Sequence, residues 1–124
     1  MKTVHVVVDG QPSRLLFEKL LEDLNESIHI LIHAVEGKLS AHSLARTLQV
    51  RQGEPVALVL DANTTDKATA EQERAMYESY LNFTSKGVPF IVLLIQPSIE
   101  KIFFEFPELL EDMTGTALQA RDIL

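Results

Sequence analysis

With 124 residues, 46% of them hydrophobic, the chain suffices for one domain with an ordinary core and needs no covalent staples. It has no cysteine, which excludes disulfides, thiolate zinc sites and thiol nucleophiles and suits a reducing compartment. The formal net charge of −7 argues against holding nucleic acid by bulk electrostatics, although a divalent cation offsets local acidity at an enzyme site, so nucleic acid stays open as a partner.

The opening residues Met1 to Val6 are too broken by polar residues for a signal peptide, and the longest apolar run, Val88 to Ile95, contains Pro89 and is too short for a bilayer. The expectation is a cytoplasmic protein with no membrane partner. A protein partner or a homo-oligomer is compatible with all of this.

In chain order, Val4 to Val8 is a continuous β-branched run and reads as a buried strand. Asp9, Gly10, Gln11 and Pro12 break it, and Pro12 suits the first turn of a helix. Leu16, Phe17, Leu20, Leu21 and Leu24 then recur at helical spacing, with Glu18, Lys19, Glu22 and Asp23 on the wet side. A second strand covers Ile28 to Ala34. Its isoleucines alternate with His29, Leu31 and His33, as at a sheet edge. Leu31 separates the two histidines, so half-exposed edge positions explain them better than a metal pair. His5 reads as a plain strand residue and His42 as a surface helix residue.

Ser40 is placed to cap a short helix that turns Ala41, Leu44, Ala45 and Leu48 inward. Gln52, Gly53, Glu54 and Pro55 end that unit. Val56 to Leu60 follows as an unbroken apolar strand ending in Asp61, with Asn63 and Asp66 in the polar turn beyond. Lys67 to Lys86 reads as the longest helix, with Met76, Tyr77, Tyr80, Leu81 and Phe83 on one side and Gly87 as its C-cap. Val88 to Ile95 is the fourth strand.

After the turn at Gln96, Pro97 and Ser98, the residues Ile99, Ile102, Phe103 and Phe106 keep helical spacing. Such a stripe belongs to a core rather than to a base-stacking surface, which sets aromatics in a basic groove. Pro107 to Met113 adds a short helical turn, and residues 114–124 form a last helix or a frayed tail. Strands alternating with helices predict a single three-layer α/β/α domain with a four-stranded, mostly parallel sheet.

Classical phosphate cradles do not fit. Gly37-Lys38 lacks the upstream glycine of a P-loop and is followed by Leu39 rather than Ser or Thr, no G-x-G-x-x-G follows a strand, and no G-x-S-x-G elbow is present. The strand-end carboxylates remain. If the edge strand is the second, the sheet order is 2-1-3-4, and Asp9 and Asp61 leave neighbouring strands at a topological switch point. Two carboxylates converging there need a cation or a shared proton between them, a role for a hard ion such as Mg²⁺.

The stretches His5-Val-Val-Val-Asp9-Gly10 and Val59-Leu60-Asp61-Ala62-Asn63 resemble the strand ends of a Toprim domain, the catalytic fold of type IA and type II topoisomerases, primases and OLD-family nucleases. Glu36-Gly37-Lys38 after the second strand, and Pro97-Ser98-Ile99-Glu100 after the fourth, are similar to the small stand-alone relatives. The resemblance covers residues 3 to about 110 and implies Mg²⁺- or Mn²⁺-dependent phosphodiester chemistry on nucleic acid.

On that reading Asp61 is the main metal ligand, Asn63 and Asp66 assist, Asp9 is the acid/base or a second ligand, Lys38 meets a phosphate and Glu100 is peripheral. Two departures stand out. Asp9 replaces a family Glu, one methylene longer, and Asn63 replaces the second Asp of Asp-x-Asp and brings no charge. The alternative is therefore a Toprim-like binding or regulatory module without catalysis. From another class comes a receiver-like or flavodoxin-like regulator phosphorylated on Asp61, which lacks here the acidic pair and the later lysine of a receiver.

Overall fold

The computed structural model describes residues 2–22, 28–62, 65–95, 106 and 108–110. Leu24, Asn63, Ile99, Glu100, Ile102, Phe103, the turn at 96–98 and residues 111–124 lie outside them. The elements run β1 (Lys2–Asp9), α1 (Gln11–Leu20), β2 (Ile28–Val35), α2 (Lys38–Gln52), β3 (Val56–Asp61), α3 (Lys67–Ser85) and β4 (Phe90–Ile95). All pairings are parallel and the sheet order is β2-β1-β3-β4, as the switch-point argument requires.

This order follows from burial. β1 and β3 are buried on both faces and take the centre, while β2 alternates and takes an edge. The chain moves one way from β1 to β2 and the opposite way from β2 through β3 to β4. Right-handed crossovers then put α1 on one face and α2 with α3 on the other. The two cores match. Val4, Val6, Val8, Ala57 and Val59 pack with Phe17 and Leu21, and Phe106 and Leu110 close that side. Phe17 meets Phe106 edge to face at 4.9 Å between centroids. Val7, Val56, Leu58 and Leu60 pack on the opposite face with Ala41, Ala45, Leu48, Tyr77 and Leu81.

Several local expectations are corrected. α2 begins two residues before Ser40, which lies inside the helix, and Gly37 occupies the N-cap with no side-chain cap. The helix is long, 15 residues, because Ala41, Ala45 and Leu48 hold it to the sheet over its whole length. The apolar set on α3 divides: Tyr77 and Leu81 are buried, whereas Met76, Tyr80 and Phe83 face solvent, since the five span more of the helix circumference than one contact covers. Lys86, not Gly87, is the left-handed C-cap.

His42 is buried rather than on the surface, only 8% exposed, with its ring 5.4 Å from that of Tyr77 and 5.2 Å from that of Tyr80. Its Nε2 has no hydrogen-bond partner among the described residues. Burial, with the nearby Arg46 charge, holds this imidazole below its usual pKa.

Candidate functional site

Asp9 and Asp61 end neighbouring strands, at the sheet edge where open α/β folds keep ligands. The register pairs Val8 with Val59, which puts Asp9 level with Leu60 and Asp61 one residue farther out. Strand alternation then separates the two. Asp9 continues the line of Val7 on the face of α2 and α3, and Asp61 continues the line of Ala57 and Val59 on the face of α1. The expected common crevice therefore divides between two faces of the sheet.

Each strand-end residue also has a local partner or a local reason. Gly10 and Gly37 adopt φ 92°, ψ 155° and φ 94°, ψ 145°, a region essentially restricted to glycine, and this explains Asp9-Gly10 and Glu36-Gly37 as chain-turning pairs. The Gly10 amide donates to the Val35 carbonyl at 2.8 Å, and the Gly37 amide donates to Asp9 Oδ1 at 2.9 Å. Asp9 thus ties the end of β1 to the start of α2, across the end of the edge strand. Glu36 is exposed beside this turn.

Lys38 Nζ donates to Glu73 Oε1 at 2.7 Å and links α2 to α3, with both side chains mostly buried. Asp66 is the N-cap of α3. It accepts from the Ala68 amide at 3.2 Å and from Thr69 Oγ1 at 2.6 Å. These bonds, the Thr69 hydroxyl foremost, hold its carboxyl below the usual range. Asp61 is exposed, and its carboxylate makes no hydrogen bond or ion pair among the described residues.

Among the described residues the candidate donors do not gather into a Mg²⁺ or Mn²⁺ centre. One Asp9 oxygen is taken by an amide and Asp66 by its helix cap, and no group of three His, Asp or Glu among the described residues converges as a metal site. A groove of about 380 Å³ lies between α1 and β2, lined by residues that include Arg14, Glu18, Leu21 and Ile30, and none of the strand-end acids borders it.

The polar cluster that sequence patterning misses lies on the α2 face. His5 and His33 share a hydrogen bond of 3.0 Å, and His5 is bonded in turn to Glu54 at 2.9 Å. Both histidines face α2, since Val7 of β1 pairs with His33. That facing is readable from strand parity, but only once β1 and β2 are known to be neighbours in this register.

No protein-family model matches the chain, and no curated protein or solved structure is similar enough to it to count as a match. The fold and its strand-end residues therefore define a class, a small doubly wound parallel α/β domain with its switch point between β1 and β3. Among the described residues no helix is long and apolar enough to cross a membrane.

Proposed function

We propose that the chain is a divergent Toprim-like module that acts by binding, as a regulatory or partner-docking domain, rather than by cleaving phosphodiesters. One observation carries this reading: Asp9, the counterpart of the family's acid/base Glu, spends a carboxylate oxygen on the Gly37 amide and braces the turn into α2. The ion pair of Lys38 with Glu73 and the capping role of Asp66 point the same way, because these two residues already do structural jobs.

A second reading, a Mg²⁺- or Mn²⁺-dependent phosphodiesterase, is favoured by Asp61 alone, which stands exposed at the end of β3 beside the switch point. Supercoiled plasmid incubated with Mn²⁺ separates the two. On the binding reading, wild type and Asp61→Ala leave the plasmid equally intact. Nicking by wild type that disappears in Asp61→Ala overturns that reading. Stable labelling of Asp61 by acetyl phosphate would instead place the chain with the phosphorylated regulators.

A further inference from the structure

We propose that Glu54, His5 and His33 form a pH-responsive proton relay, which holds one shared proton between its two imidazoles and parts when a second arrives. The geometry leaves few alternatives for the hydrogens. His5 is only 4% exposed, and both its ring nitrogens are engaged, Nε2 with Glu54 Oε1 at 2.9 Å and Nδ1 with His33 Nε2 at 3.0 Å. A carboxylate only accepts, so His5 Nε2 carries a hydrogen. In the neutral pair His5 Nδ1 is then a bare acceptor, His33 Nε2–H donates to it, and His33 Nδ1 carries the free lone pair.

One proton can enter this chain without breaking a bond. It binds at His33 Nδ1, and the hydrogen between the rings shifts from His33 Nε2 to His5 Nδ1. The positive charge now sits on His5 beside the Glu54 carboxylate, and His33 is neutral again. A second proton has no such place. It makes both rings cationic and sets N–H against N–H, so the bond between the rings is lost. Two like charges with ring centroids 5.2 Å apart then repel inside the fold.

The surroundings sharpen the limit of one. The apolar core on this side of the sheet includes Ala41, Ala45 and Leu48 of α2 and Val56 and Leu58 of β3. The anion at the pair is Glu54, in the turn between α2 and β3. Farther along the same face Asp9 is bonded to Gly37, and His29 lies exposed on β2. Burial foremost, then His5 itself and the Arg14 cation of α1, act against a charge on His33. His33 lies on the edge strand, so it is the ring that swings away, and β2 loosens with it.

Nitrogen-15 NMR of the histidine rings in the full chain, from about pH 8 to about pH 5, tests this. At the basic end both His5 and His33 should be Nε2–H tautomers. The two rings should then titrate together in two steps separated by more than about one pH unit. The second step should bring faster hydrogen exchange in β2. Glu54→Gln keeps the acceptor but removes the charge, and should move the first step to lower pH. His33→Gln should leave His5 with a single step. The proposal is overturned if neutral His5 carries its proton on Nδ1, if each ring titrates in one step regardless of the other, or if β2 exchange is the same on both sides of the second step. Wild type alone decides these points, so the outcome does not depend on either variant folding.

Discussion

The C-terminal edge of the sheet and the His5 cluster use polar residues in opposite ways. At the edge, Asp66 accepts from an amide within one turn, Asp9 accepts from the Gly37 amide at the turn into α2, and Asp61 stands in solvent. On the α2 face, three side chains from β1, β2 and the turn before β3 converge around the buried ring of His5, with His33 and Glu54 half-buried. Acids at strand ends are cheap to hold, because solvent or a nearby amide serves them. The buried His5 ring finds a partner for each nitrogen in a different element, so its neighbours are specified by the whole fold.

The contrast breaks most sharply at His5. His5→Ala leaves Glu54 and His33 without their central partner and should cost about 1–3 kcal/mol in urea unfolding, before any loss from the removed ring. A cost near zero would mean the cluster is no more constrained than the edge. Gly37→Ala tests the edge through its backbone. Nothing lies within 4 Å of a Cβ added there, so the positive φ alone is at stake, with an expected loss of about 1–3 kcal/mol. Asp66→Ala should lower the urea midpoint by less, through loss of the N-cap of α3.

Acidification acts on the histidines and on Asp66 in the same direction but in different pH ranges. Burial first, and then neighbouring charge, hold His33 and His42 below the usual histidine value. The unfolded chain takes up these protons near about pH 6.5 and the folded chain only lower, so stability should begin to fall as pH drops through about 6.5. The Asp66 carboxyl is also shifted downward, but from the carboxylate range, so its stabilisation responds at much lower pH. It is present above the ordinary carboxylate value and is lost only as pH falls through a still lower one. A urea midpoint that drops between about pH 7 and about pH 5.5, and drops less in His33→Gln with His42→Gln, is the expected result. The smallest effect belongs to Asp61→Ala, within about 0.5 kcal/mol. A larger change would reveal a partner for this carboxylate.

The strands were legible because apolar runs bounded by Gly, Pro and Asp admit little else, and the alternating histidines of β2 placed it at the edge. The strand order followed from that one inference. The N-cap by Asp66 is a contact within three residues, the range over which local sequence acts. The division of the α3 stripe and the burial of His42 were not legible, because helical spacing names a face without saying how wide its partner is. The convergence of Asp9 and Asp61 was expected from their adjacent strands, yet a one-residue difference in register sends neighbouring strand ends to opposite faces.

By itself, the sequence determined the order of elements, the central strands and the glycine turns after β1 and β2, all consequences of local sterics and hydrophobic period. Only the tertiary structure decided what the ionisable groups meet. Asp9 reaches a turn 28 residues away and His5 reaches Glu54 across 49 residues. Such contacts depend on register and on the face each helix covers, and no local pattern in the chain encodes either.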